Sequence, residues 1–236
     1  MLLLVTDTSG KNGCVALARA GSTPGSMSPN LIEEVPLAGG TFSAELVPQI
    51  AALLAKHGFS KSDIGAFIVV SGPGSFTGLR VGLAAIKALA EVLHKPIVPV
   101  SLLEVVAIAA GAQDPQYRGK VVAVLDAGRG EVYAGEYEVD NDAAMLVQEH
   151  LRTKNELVSM ARASVVATPV LTPDEALAIS LQAAGVSVSR VDSIRAELIA
   201  QVGYRRLQRK QSVSPEQLEA NYIRRTDAEI FAKTDS

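Results

Sequence analysis

The chain has 236 residues, 48% hydrophobic and 20% charged, which is enough apolar surface for one large domain or two ordinary ones and excludes a disordered chain. Lysine and arginine number 22 against 25 acidic residues, so the net charge of -3 provides no broad positive field of the kind a solitary nucleic-acid binder needs. One cysteine, Cys14, excludes an internal disulfide and a multi-cysteine zinc site, and fits a reducing cytoplasm.

The opening MLLLVTDTSG has too short an apolar run for a membrane span and no basic leader, so a soluble protein beginning with a buried strand is expected. Leu2 to Thr6 reads as that strand, Asp7 to Gly13 as a turn and Cys14 to Ala20 as a second strand. Gly21 to Asn30 is rich in Gly, Ser and Pro and reads as a connection to a third strand near Leu31 to Leu37. A helix is predicted from Ala44 to His57, with Ser43 as N-cap and Gly58 as its stop; Pro48 predicts a kink or a later start. A buried strand, Ala66 to Val70, then meets the stretch SGPGSFTGLR. A second helix runs to about Leu93, and a strand covers Ile97 to Val100.

After a helix near Leu102 to Gly111 comes the strand Val121 to Leu125, the turn Asp126 to Gly130 and the alternating strand Glu131 to Val139. In both halves an apolar strand ends on an aspartate, Asp7 and Asp126, before a glycine-bearing turn and another strand. This echo points to a duplicated unit, although strand-Asp-Gly-strand is also common hairpin chemistry. From 141 to 190 the pattern is poor: SVVATPVL reads as a strand, and Pro173 to Ala184 as a helix begun by Thr172. The last helix is predicted from Asp192, its cap, to Lys210, with Arg205, Arg206, Arg209 and Lys210 complementing the dipole. The expected architecture is α/β in two related halves, residues 1–100 and 101–236.

Strand, glycine turn and helix is the order in which many chains hold phosphate. A P-loop fails here because Leu79 stands where its lysine belongs. A dinucleotide fingerprint fails because Thr77 replaces the third glycine and the strand IVPV ends without an acid. Neither Ser71 nor Ser75 has the flanking glycines of a nucleophile elbow. The histidines, His57, His94 and His150, lack metal-ligand spacing. Asp7, Asp126 and Glu131 are open to two readings, a carboxylate cluster or turn-capping residues. What remains is a turn whose glycines allow positive φ and whose Ser75 or Thr77 can cap the next helix.

Both helices of the first half are apolar on more than one side. In the first, Glu45, Gln49, Ala52 and Lys56 form a narrow stripe; Leu46, Ile50, Leu53 and Leu54 flank it on one side and Pro48, Ala51 and Ala55 on the other. In the second, Arg80, Ala84, Lys87 and Glu91 form the stripe, between a large flank of Leu79, Leu83, Ile86 and Leu93 and a small one of Val81, Ala85, Ala88 and Val92. Large faces suit the chain's own core, and small faces suit close approach by another helix, in a second molecule or in the same one.

IVVSGPGSFTGLRVGLAAIKALA, with LLLVTDTSG before it and VLDAGRGEVYAGEYE after it, closely resembles the TsaB (YeaZ) family, and SAELVPQIAALL and NYIRR resemble its first helix and closing Tyr-x-Arg element. The resemblance covers residues 1 to 137, is weak to about 210 and returns near Tyr222. It implies an actin-like, Hsp70-like, sugar-kinase-like fold: two related α/β halves with mixed sheets. It implies a role in the bacterial machinery that places threonylcarbamoyl on adenosine 37 of tRNAs (t6A), as a non-catalytic dimerisation platform for TsaD. TsaD holds the ATP and metal, the ATPase TsaE joins the assembly, and TsaC makes the threonylcarbamoyl-adenylate. The partner-binding residues it implies lie on the two helices: Ala51, Ala55, Val81, Ala84, Ala85, Ala88 and Val92. A homodimer through the same surface and tRNA contact mainly through the complex are further expectations. The family-signature turn is Gly72, Pro73, Gly74, Ser75, Phe76, Thr77, Gly78 and Arg80. Asp7, Thr8 and Ser9 occupy the position of a vestigial phosphate hairpin without the D-x-G-T order of nucleotide-hydrolysing relatives. No catalytic residue, cofactor or metal is expected in this chain alone. The alternative is a small ATPase or kinase of the same fold, using Asp7, Asp126 and the GPGSFTG turn.

Overall fold

The computed structural model describes residues 1–21, 28–113, 117–140, 143–163, 168–192 and 194–223. Most of the predicted Gly21 to Asn30 connection, part of SVVATPVL, and both Arg224 and Arg225 lie outside the described residues.

Leu2–Asp7 (β1) is buried along its whole length, as a strand covered on both faces must be. It pairs antiparallel with Asn12–Arg19 (β2), which pairs antiparallel with Asn30–Ala38 (β3). On its other side it pairs parallel with Ile64–Gly72 (β4), itself parallel to Ile97–Ser101 (β5), giving the order β3-β2-β1-β4-β5. Two helices supply the crossovers that parallel pairing requires: Phe42–Lys56 (α1) before β4 and Phe76–Leu93 (α2) between β4 and β5. Leu4, Leu17, Phe67 and Val69 from the sheet meet Leu46, Ile50, Leu53, Leu83 and Ile86 from these helices in one core. Leu102–Gln113 (α3) follows β5, and its residues 103–110 are all buried.

Two helix starts differ from expectation. α1 begins at Phe42, so Ser43 lies inside it. The buried Phe42 ring draws the first turn back towards Gly13, and Thr41 donates its hydroxyl to Ala38 O at 2.9 Å instead of capping. Pro48 sits well inside that helix, where the carbonyl it leaves without a donor belongs to solvent-exposed Ala44. The last helix, Ala196–Gln208 (α6), starts four residues after Asp192. Its first N–H donates to a carboxylate on β3, Glu34 Oε2, at 3.2 Å, so the cap comes from across the sheet.

The second sheet repeats the plan. Arg118–Gly128 (β6), Glu131–Asp140 (β7) and Ala143–Thr153 (β8) form an antiparallel meander. Lys154–Ala163 (α4), Val170–Thr172 (β9), Glu175–Ala183 (α5) and Val188–Arg190 (β10) follow, in the order β10-β9-β6-β7-β8. Read from the other edge this is β8-β7-β6-β9-β10, strand for strand the order of the first sheet. Asp126 is within β6 and not in the turn, opposite Val132. Asp174, two residues later than the predicted cap, begins α5 by accepting from Leu177 N at 2.9 Å, because Thr172 is already committed to the end of β9. Val124, Val132, Leu157, Val170, Leu177 and Leu181 fill this unit's core. One compact unit contains Met1–Val105 together with Ile194–Ala220, and the other is built on Val106–Ser193.

Candidate functional site

The glycine turn is closed by backbone packed on backbone. Gly74, Gly78 and Gly82 recur every four residues, and all three lie against the turn after β1. A Cβ on Gly74 would stand 2.2 Å from Ser9 O, one on Gly78 2.1 Å from Thr8 O, and one on Gly82 2.2 Å from Thr8 Oγ1. No real Cβ approaches that closely, so a larger residue would force the backbone apart at Gly74 and Gly78 and displace the Thr8 side chain at Gly82. The contact is reinforced by Ser75 N, which donates to Ser9 O at 2.6 Å. Ser75 is the N-cap of α2, its hydroxyl accepting from Gly78 N at 3.3 Å. Two amides that a phosphate cradle would present to its ligand are thus spent on the protein itself. Gly72 and Pro73 are buried and joined by a cis peptide; Thr77 is exposed and Phe76 half-buried.

Asp7, Thr8 and Ser9 are all buried. Asp7 Oδ1 accepts from Ser9 N–H at 2.8 Å and from the Ser9 hydroxyl at 2.6 Å. Burial pushes the Asp7 carboxyl above the usual range, the Ser9 bonds pull it back, and the negative charge of Glu34 adds to the rise. Burial likewise raises the neighbouring Cys14 thiol, with Asp7 and Glu34 adding to it. Among the described residues no cation offsets either shift. Asp126 differs, being 43% exposed with Lys154 Nζ 3.8 Å away. Among the described residues no three His, Cys, Asp or Glu side chains are grouped to hold a metal. No helix of the described residues is long and apolar enough to cross a membrane.

The helix faces divide as the residue sizes predict, with one refinement. The large flanks fill the core, and Val81 and Ala85 pack half-buried against it. Ala51 and Ala55 of α1, and Ala84, Ala88 and Val92 of α2, are exposed; Val92 is 76% exposed and Val47 of α1 51%. α1 packs beside α2, so these residues lie on neighbouring helices.

The basic end of α6 is not an open anion surface. Arg205 is buried, and Arg206 reaches Glu104 Oε2 at 2.5 Å and Pro99 O at 2.8 Å, clasping β5 and α3. Sequence spacing alone missed this, because Glu104 lies 102 residues away. Arg209 and Lys210 remain exposed.

Two units with one strand order, the first strand of each carrying an aspartate, Asp7 at its end and Asp126 near it, define the duplicated actin-like, Hsp70-like, sugar-kinase-like class. A family model described as TsaD, tRNA N6-adenosine threonylcarbamoyltransferase, matches residues 36–230. The TsaB protein of Bacillus subtilis (strain 168), named for tRNA threonylcarbamoyladenosine biosynthesis, is 32% identical over 141 residues, 60% of this chain and 57% of that one. The Escherichia coli (strain K12) protein of the same name is 37% identical over 97 residues, 41% of each chain. The aligned segments therefore span about half the length of these curated relatives. A solved Pseudomonas aeruginosa structure, described as similar to peptidase YEAZ, superposes with a TM-score of 0.71 at 23% identity, covering 94% of this chain and 99% of that one. The chain belongs to this family, on its TsaB (YeaZ) branch.

Proposed function

We propose that this chain is a non-catalytic partner of TsaD in the formation of t6A at adenosine 37 of tRNAs, docking on TsaD through α1 and α2. The observation that carries the reading is the exposed row of Ala51, Ala55, Ala84, Ala88 and Val92 on two neighbouring helices whose other flanks are filled by the core. Small side chains allow a partner helix to approach near the lower end of the roughly 8–10 Å interaxial range. The names of the curated relatives place those proteins in the same biosynthesis, and the self-occupied amides of the glycine turn favour a scaffold over a nucleotide enzyme. In this reading the partner-binding half, expected at residues 1–100, is the unit of Met1–Val105 with Ile194–Ala220, and the second half, expected at 101–236, is the unit built on Val106–Ser193. TsaD supplies ATP and metal sites, TsaE joins the assembly, tRNA is reached mainly through the complex, and the setting is cytoplasmic. The same face also pairs two copies of the chain, in competition with TsaD.

The test is co-elution with TsaD from the same organism, with t6A formation measured in parallel. Ala88→Glu places a charge in the middle of the row, and is expected to leave the fold intact while abolishing co-elution and t6A formation. Unchanged co-elution rejects the face. Thermal melting of the lone chain with Mg-ATP is expected to show no shift, whereas a bound ligand at 100 times its Kd stabilises by about 2.7 kcal/mol.

A further inference from the structure

Asp7 stands at the end of β1 with its side chain buried. Its Oδ1 takes both donors that Ser9 has, the backbone N–H at 2.8 Å and the hydroxyl at 2.6 Å. An aspartate bonded to the backbone two residues ahead closes a local turn and sets the direction of the carbonyl that follows. That carbonyl, Ser9 O, accepts from Ser75 N at 2.6 Å, and Ser75 caps α2 by accepting from Gly78 N. A line of hydrogen bonds therefore runs from Asp7 through Ser9 and Ser75 into the first turn of α2.

Close packing ties the helix to this turn. A Cβ at Gly74, Gly78 or Gly82 would run into Ser9 O, Thr8 O or Thr8 Oγ1, so α2 rests on residues 8 and 9 along its first turns. The same helix exposes Ala84, Ala88 and Val92. Such short side chains have little reach, and a gap of roughly 0.5–1 Å already forfeits a quarter to a half of a contact's dispersion energy. What residue 7 supplies to this arrangement is an acceptor oxygen and not a charge, since burial and Glu34 both disfavour the ionised form. We propose that Asp7 is a positioning residue for partner docking: through Ser9 and Ser75 it holds α2 so that Ala84, Ala88 and Val92 meet TsaD in register. Resting on the docking reading above, this gives the aspartate of the first hairpin a task that needs neither nucleotide nor metal.

Kd for TsaD, t6A formation and hydrogen-exchange protection of the Ser75 amide are measured for the wild-type chain, Asp7→Asn, Asp7→Ala, Ser9→Ala and Ala88→Glu, with thermal melting confirming that each is folded at the assay temperature. Asp7→Asn keeps an oxygen for both Ser9 bonds and is expected to retain wild-type Kd, protection and t6A formation. Asp7→Ala is expected to lower Ser75 protection and to raise Kd, each roughly tenfold, as loss of bonds to a buried acceptor does. Ser9→Ala loses only the hydroxyl bond and is expected to move both readouts the same way by less, which keeps the test open where Asp7→Ala does not fold. An Asp7→Asn chain that loses t6A formation while keeping Kd and Ser75 protection gives the charge a chemical task and overturns the positioning role. If Ala88→Glu abolishes binding while Asp7→Ala and Ser9→Ala leave Kd unchanged, the positioning role is wrong and the docking face stands. If Ala88→Glu binds normally, the docking face itself is wrong and the positioning role falls with it.

Discussion

The two units share a strand order but use their helices in opposite ways. α2 and α5 occupy the same place in each unit and start alike: an N-cap side chain, Ser75 or Asp174, accepts from the amide three residues on, Gly78 or Leu177. At the third and seventh helical positions α2 has Gly78 and Gly82, pressed on Thr8, where α5 has Leu177 and Leu181 inserted in the core. The first unit brings backbone onto backbone there and lets its helix run 18 residues; the second inserts large side chains and stops after 9. A shared sheet order therefore fixes where a helix lies and leaves its contacts and exposed face free to diverge.

The largest expected effect tests that contrast. Gly78→Ala in an ordinary helix interior would stabilise by up to about 1 kcal/mol. Here the added methyl meets Thr8 O at 2.1 Å, and a loss of about 3 kcal/mol or more is expected in urea unfolding. Leu177→Ala at the matching position fails in the opposite sense, leaving a cavity and costing about 2–4 kcal/mol. A neutral or stabilising Gly78→Ala breaks the comparison.

Much of this was legible in the sequence. Apolar runs placed β1, β4 and β5, alternation placed β7, and Ser75 was one of the two caps, with Thr77, offered by the position before an apolar helix. The large flanks of α1 and α2 sorted correctly by angle, because helical periodicity is a local property, whereas Val81 and Ala85 of the small flank of α2 pack half-buried against the core. What stayed hidden depends on distant partners. The glycines read as a turn that allows positive φ because nothing near them in sequence shows Thr8 and Ser9 on the other side. Glu34 caps α6 from 162 residues away, so Asp192 was the best local candidate and the wrong one. β8 and α4 were missed because β8 lies at a sheet edge, where exposed Met145, Leu146 and Val147 run consecutively and no alternation survives.

Ion pairs sharpen the comparison at a smaller scale. Arg206→Ala removes the ion pair to the buried Glu104 and the bond to Pro99 O, so a loss of about 2 kcal/mol is expected. Lys154→Ala removes a 3.8 Å surface contact to Asp126 and is expected to cost less than about 0.5 kcal/mol. Thermal melting of the two variants side by side checks the ranking; equal losses contradict the clasp. The N-caps follow: Asp174→Ala is expected to cost about 1 kcal/mol and Ser75→Ala less, since its contact is 3.3 Å against 2.9 Å.

The matched aspartates differ in how stability responds to pH. Asp7 is buried and its carboxyl is raised above the ordinary 3.8, chiefly by burial. Below that value it is neutral in both folded and unfolded chains and contributes no pH dependence. As pH rises past 3.8 the unfolded chain releases this proton first, so the folded state is progressively disfavoured until the raised folded value is passed. This is the reverse of the usual ion-paired aspartate. Asp7→Asn keeps an oxygen for both Ser9 bonds and removes the charge, so the variant is expected to match wild type near pH 4 and to gain on it towards pH 7. The corresponding Asp126→Asn, already in contact with solvent, is expected to change stability by less than about 0.5 kcal/mol. Urea unfolding of both variants at pH 4 and pH 7 separates the cases: a gain confined to Asp7→Asn at the higher pH means that the first unit buries this carboxyl at a cost, and parallel curves mean that the two aspartates are equivalent.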